Sequence, residues 1–196
     1  MKLNSLKFFD GFILSDLKYL MAYSIPLTAI FGFYMGGYWL LTTPIYIFLI
    51  IPIIEHLLTF LKIDDLEKGR INKSTHRIFD LMLYINIPLV YGILIYALIF
   101  LRNKDLFSVE FFTSILTVGL LVGTNGINVA HELCHRSKKY EKFLGKFLLI
   151  PSLYMHFYLE HIFGHHLNVA TKEDPVTAKY NPVSYTHLRA HETKWH

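Results

Sequence analysis

The sequence predicts an all-α protein, a polytopic bundle of transmembrane helices, and three observations carry that prediction. Hydrophobic residues make up 53% of the 196-residue chain and charged residues only 17%, with a mean hydropathy of +0.37, a balance unlike that of a soluble domain. The apolar residues gather in continuous stretches of bilayer length. The charges fall in short runs between those stretches, as loops at a membrane surface do. About four membrane-spanning helices are expected, with a re-entrant or interfacial segment between two histidine-rich boxes on the cytoplasmic side.

Residues 1–18 carry Lys2 and Lys7 beside Phe8, Phe9, Phe12 and Ile13 and read as an amphipathic lead-in lying on the membrane surface. No short apolar core followed by small residues marks a cleavable signal there, so the first span is expected to remain as an anchor. Tyr19 to Tyr34 is apolar all round and is interrupted by Pro26; Gly36-Gly37 supplies a turn, and Tyr38 to Leu61 forms the second span of a helical hairpin. Glu55 and His56 lie near the end of that span, where long polar side chains reach the interface, so a metal or proton role is the less favoured reading.

Lys62 to Arg77 is a charged loop. Leu81 to Leu101 is an unbroken apolar run with Pro88 inside it, tolerable in a membrane helix because neighbours satisfy the freed carbonyl. Phe111 to Ala130 is the fourth span and ends in the small, polar run Gly123-Thr124-Asn125-Gly126-Ile127-Asn128, suited to close helix packing. Asn125 and Asn128 are candidates to support the nearby histidines, although packing is the favoured role for both.

The net charge of +4 does not indicate nucleic acid, because the basic residues sit in loops rather than along one polar face. Arg136, Lys138, Lys139, Lys142 and Lys146 place the first box on the cytoplasmic side. Phe143 to Leu159, broken by Pro151, is marginal as a crossing and would strand the second box on the opposite face, so a bend at Pro151 is expected. The single cysteine, Cys134, excludes an intramolecular disulfide.

The chemistry lies in His131-Glu132-Leu133-Cys134-His135-Arg136 and Glu160-His161-Ile162-Phe163-Gly164-His165-His166, which hold five of the chain's 11 histidines. At helical spacing His131 and His135 share a face, and so do His161 and His165. His166 adds a fifth imidazole. Five such nitrogens beside Glu132 and Glu160 suit iron, zinc or copper and exceed what one closed tetrahedral site needs. His156 is off the face of His161 and reads as a packing residue.

These two boxes, with Val169-Ala170-Thr171-Lys172-Glu173-Asp174-Pro175 after them, resemble the integral-membrane di-iron alkane monooxygenases, relatives of the membrane fatty-acid desaturases and hydroxylases. In that family the first box is usually HELGHK and the second EHxxGHH; here Cys134 replaces the common glycine and Arg136 the common lysine. The resemblance covers roughly Asp80 to Ala178. It implies iron ligation by His131, His135, His161, His165 and His166, with no catalytic residue separable from those ligands. Glu132, Glu160, Asn125 and Asn128 would support them. It also implies dioxygen as co-substrate, oxidation of a terminal C–H bond of an alkane or alkyl chain to a primary alcohol, and electrons from a rubredoxin-type donor with its reductase. Membrane lipid surrounds such an enzyme, and nucleic acid is not a partner.

The family pattern continues into further helices and a third histidine cluster, absent here. Residues 1–180 are therefore expected to be the amino-terminal part of such a domain. Residues 181–196 do not resemble the family, and the string Val183-Ser184-Tyr185-Thr186-His187-Leu188-Arg189-Ala190-His191 is expected to be a sequence artefact on a truncated gene, leaving this chain inactive as written. Competing readings are a membrane fatty-acid desaturase or hydroxylase, an intramembrane zinc protease using His131 and His135 with Glu132 as general base, and a fragment without activity.

Overall fold

The computed structural model describes residues 14–61, 77–169, 171 and 174. The lead-in up to residue 13, the loop 62–76 and the tail 181–196 lie outside the described residues, and with them the expectations placed there. Among the described residues every regular element is helical.

Helix α1 begins as a 3-10 stretch, Leu14–Tyr23, and continues as Ser24–Met35. It turns into α2, Gly37–Phe60, through Gly36 and Gly37, whose φ angles are +67° and +57°. A side chain at either position would be strained in that conformation, so the glycine pair is what allows the hairpin to close without a loop. Inside α2, a widened π turn at Tyr46–Ile50 ends two residues before Pro52, which has no N–H to bond the carbonyl one turn back.

Helix α3, Arg77–Leu101, and helix α4, Val109–His135, run through the bundle. Ser108 caps α4 by accepting from the Phe111 N–H at 3.2 Å. The helices Gly37–Phe60, Ile78–Leu101 and Val109–His135 are each long and apolar enough to cross a membrane, while the apolar helix Tyr19–Met35 is shorter. Their outward faces carry many large exposed hydrophobics, among them Phe48, Ile53, Ile95, Leu98, Ile99, Phe112 and Ile115, the surface expected of helices solvated by lipid.

Two buried apolar clusters hold the bundle. The first joins α1, α2, α3 and α4 through Ala29, Phe33, Leu40, Ile93, Ala97 and Leu121. The second joins α3, α4 and the segment beyond through Val90, Val122, Ala130, Leu133, Leu148 and Leu149, with Phe157 packed against it. Polar cross-links add direction: Asn125 donates to the Ala22 carbonyl at 2.8 Å and to Asn86 Oδ1 at 2.9 Å, and Thr117 donates to the Leu40 carbonyl at 2.8 Å. Asn125 thus ties α4 to α1 and α3, the packing role its sequence context favoured.

Helix α5, Lys139–Leu148, packs on the end of α4. The approach is close: a Cβ built on Gly145 would lie 2.9 Å from both the Ala130 carbonyl oxygen and Cys134 Sγ. Only a residue without a side chain allows the two backbones to meet there. After Leu148 the chain turns through 149–156, with Leu153 at φ 54°, and starts α6, residues 157–168. The bend expected at Pro151 is therefore present. Helix α5, with 10 residues, is about 15 Å long, too short to cross, and the chain returns to the end of α4.

Candidate metal centre

The α4 half of the site obeys regular periodicity. His131 and His135 project from the last turn of α4, Asn128–His135, and their Nε2 atoms stand 2.9 Å apart. The helix end is anchored by Arg136, whose guanidinium lies 3.0 Å from Asp80 on α3 and 3.2 Å from Glu132 on its own helix. Glu132 thus faces the arginine.

The α6 half departs from regular periodicity. Glu160–His165 is a π turn, which places residues five apart in register in place of four. His166, not His165, therefore joins His161, with their Nε2 atoms at 3.0 Å. His161 Nε2 also lies 2.6 Å from His131 Nε2 and 3.1 Å from His135 Nε2, and Phe157, one turn earlier, stacks on its ring at 4.8 Å and 12°. The ligand-capable atoms of His131, His135, His161 and His166 all lie within 4.8 Å of one another. His165 turns aside: its Nδ1–H donates to Asp174 Oδ2 at 2.9 Å, and Asp174 is fully buried.

The donor set fits a metal ion on two grounds. Nitrogens each about 2.1 Å from one ion stand about 3.0 Å apart at a right angle and about 3.4 Å apart at the tetrahedral angle. Four of the six Nε2 pairs are 2.6–3.1 Å apart and all four ligand atoms lie within 4.8 Å of one another, a crowding that one ion shared among them would relieve. Such crowding also disfavours protons: burial first, then the neighbouring His131, His166, His135 and His165, push the His161 pKa down to about 4. At neutral pH this ring is a neutral imidazole with a lone pair, the form a metal ion binds.

The other sequence candidates are not among the four histidines that converge. Glu55 and His56 are exposed on α2, and His156 is exposed and packs edge-on against Tyr154 at 4.7 Å. Asn128 is exposed on α4 and Glu160 half-buried at the start of the π turn. Sequence reasoning misses the parts played by Asp174, Asp80 and Phe157. The first has a signal, its place in the Val169 to Pro175 string, whereas Asp80 and Phe157 become visible only through the packing.

Membrane-length apolar helices that end in a cluster of imidazoles define a class, the helical membrane proteins with histidine boxes. Known proteins agree with that assignment. A fatty acid desaturase family model matches residues 109–196. An alkane 1-monooxygenase 2 of Alcanivorax borkumensis is 29% identical over 167 residues, 84% of this chain and 44% of that protein. The alkane 1-monooxygenase of Acinetobacter baylyi is 32% identical over 170 residues, 82% of this chain and 37% of that protein. An alkane 1-monooxygenase 2 of Pseudomonas aeruginosa is 35% identical over 103 residues, 52% of this chain and 27% of that protein. The chain belongs to the alkane monooxygenase and desaturase-like family, and it spans less than half the length of these curated relatives.

Proposed function

We propose that this chain carries the first part of an iron centre that hydroxylates the terminal carbon of alkanes or alkyl chains to primary alcohols. The observation that carries the reading is the convergence of four Nε2 atoms from two helices at the end of an apolar bundle. His131, His135, His161 and His166 would hold one ion, with His165 beside it for a second, and iron bound there would supply dioxygen activation. The chain's own residues do the rest of what can be derived. The π turn and Phe157 orient His161, Arg136 and Asp80 fix the end of α4, and Phe157, against the rings of His131 and His161, supplies an apolar wall on that side.

The proposal extends to what surrounds the site. Residues 1–180 form the amino-terminal part of the domain, and the metal site faces the cytoplasm, where Lys138, Lys139, Lys142 and Lys146 suit an acidic rubredoxin-type electron donor. The substrate reaches the site from the lipid. The competing reading is a fatty-acid desaturase or hydroxylase, favoured by the family model. The deciding experiment uses the full-length protein in nanodiscs, supplied with iron and a reducing system, and compares octane with an acyl substrate. Octanol as product supports the reading; an unsaturated or hydroxylated acyl product with no octanol refutes it in favour of the rival.

A further inference from the structure

Within the second box, one histidine is held differently from the rest. His165 has Nδ1 committed to a carboxylate, whereas His131, His135, His161 and His166 meet through Nε2 atoms. Its ring lies 5.7 Å from that of His161 and 5.4 Å from that of His166, so it adjoins the four-histidine cluster without entering it. Its carboxylate partner is Asp174, 0% exposed. A charge removed from water this completely persists only when its oxygens are bonded. The partner comes from nine residues downstream, past the end of α6.

The proton on an imidazole is placed by the bond its other nitrogen makes. A carboxylate accepts and does not donate, so an Asp174 carboxylate at 2.9 Å requires the proton on Nδ1 and leaves Nε2 with its lone pair. We propose that Asp174 is a positioning residue that locks His165 in this tautomer and orientation, making Nε2 the donor for a second ion next to the four-histidine site. The inference rests on the metal-centre reading for its purpose, but the tautomer itself does not depend on any metal.

The test is made on the full chain in lipid nanodiscs. Nitrogen-15 NMR of histidine-labelled, metal-free protein reports which His165 nitrogen carries the proton, and ferrous iron titration reports stoichiometry and affinity. The wild-type protein should show Nδ1–H at His165; Asp174→Ala should move the proton to Nε2 in a large fraction of molecules. In the titration, the second equivalent of iron should weaken by about 10–100-fold and the first should hold its affinity. Asp174→Asn, which keeps the volume and an acceptor oxygen, should retain Nδ1–H and lose less affinity. It also serves if the alanine variant does not fold. An unchanged His165 tautomer in Asp174→Ala, an unchanged second equivalent, or an Asn variant no better than Ala would overturn the proposal. Wild-type protein that binds no iron while its tautomer still switches with Asp174 would refute the metal-centre reading and the second-ion role with it, leaving only the orienting bond.

Discussion

Replacing Gly145 by alanine should loosen the union of α4 and α5 and, through it, the alignment of the two histidine boxes. The added Cβ would stand 2.9 Å from the Ala130 carbonyl oxygen, 2.9 Å from Cys134 Sγ and 3.1 Å from Leu133 Cβ. Unstrained contacts lie near 3.5–4.0 Å, so α5 must retreat by about 0.5–1 Å. Overpacking of this kind costs about 1–3 kcal/mol, offset by the gain of about 0.5–1 kcal/mol when alanine replaces glycine inside a helix. The net loss is about 0.5–2 kcal/mol, which at about 2–4 °C per kcal/mol lowers Tm by roughly 1–8 °C. Because α5 leads through residues 149–156 to the helix bearing His161, iron retained per chain should fall as well. Thermal unfolding in nanodiscs and metal analysis measure both. Part of the clash belongs to Cys134 Sγ, so Cys134→Gly with Gly145→Ala should be more stable than the two single losses sum to, by about 0.5–1.5 kcal/mol. An alanine variant as stable as wild type, or a double variant that is merely additive, would refute the close-packing argument.

His161→Ala should reduce bound iron more than His166→Ala does, because His161 Nε2 lies within 3.1 Å of the other three nitrogens; equal losses in metal analysis would contradict a central role. His161 also sets a pH dependence: its pKa lies at about 4 in the fold against 6.5 when unperturbed. Above pH 6.5 both states hold it neutral. As pH falls from 6.5 towards 4 the unfolded chain takes up a proton that the fold refuses, so metal-free protein should lose stability across that window. Denaturation at several pH values would show a flatter profile in His161→Gln; parallel profiles would dismiss the idea. Asn125→Leu should destabilise by about 0.6–1.7 kcal/mol, because it removes donors from the Ala22 carbonyl and Asn86 while leaving iron binding intact; unaltered unfolding would show these bonds contribute nothing.

Much of this architecture is legible in the sequence because lipid solvation leaves a one-dimensional trace. Apolar runs such as Leu81 to Leu101 mark a helix whatever they pack against, and three of the expected spans are helices of sufficient length. The bend at Pro151 is legible from sidedness, since one site cannot draw on both faces of a membrane. His131 and His135 meet as expected because α4 ends in regular helix. The partnership of His161 is not legible: whether a turn closes with four-residue or five-residue hydrogen bonds depends on surrounding packing, and no residue type in Glu160–His165 announces it. Asp174 escapes for a different reason. Its contact with His165 depends on the path of the chain beyond α6, which periodicity does not describe.

The widened turn in α6 has a consequence for how this protein tolerates change. A helix with regular hydrogen bonding registers its side chains by residue type and spacing alone, but here His161 and His166 face one another only because one surplus residue is absorbed between them. Deleting any one residue from Ile162 to Gly164 while the turn returned to ordinary winding would keep the former His166 on the face of His161, whereas inserting one there, or rewinding the turn at its present length, would rotate the downstream residues by about 100° and bring the former His165 to His161 in place of His166. Point substitutions at exposed Phe163 alter one edge-on contact with Tyr158 and leave the count of residues unchanged. In this segment the number of residues and the winding of the turn are constrained together, and the insertion of one codon would do more harm than several replacements.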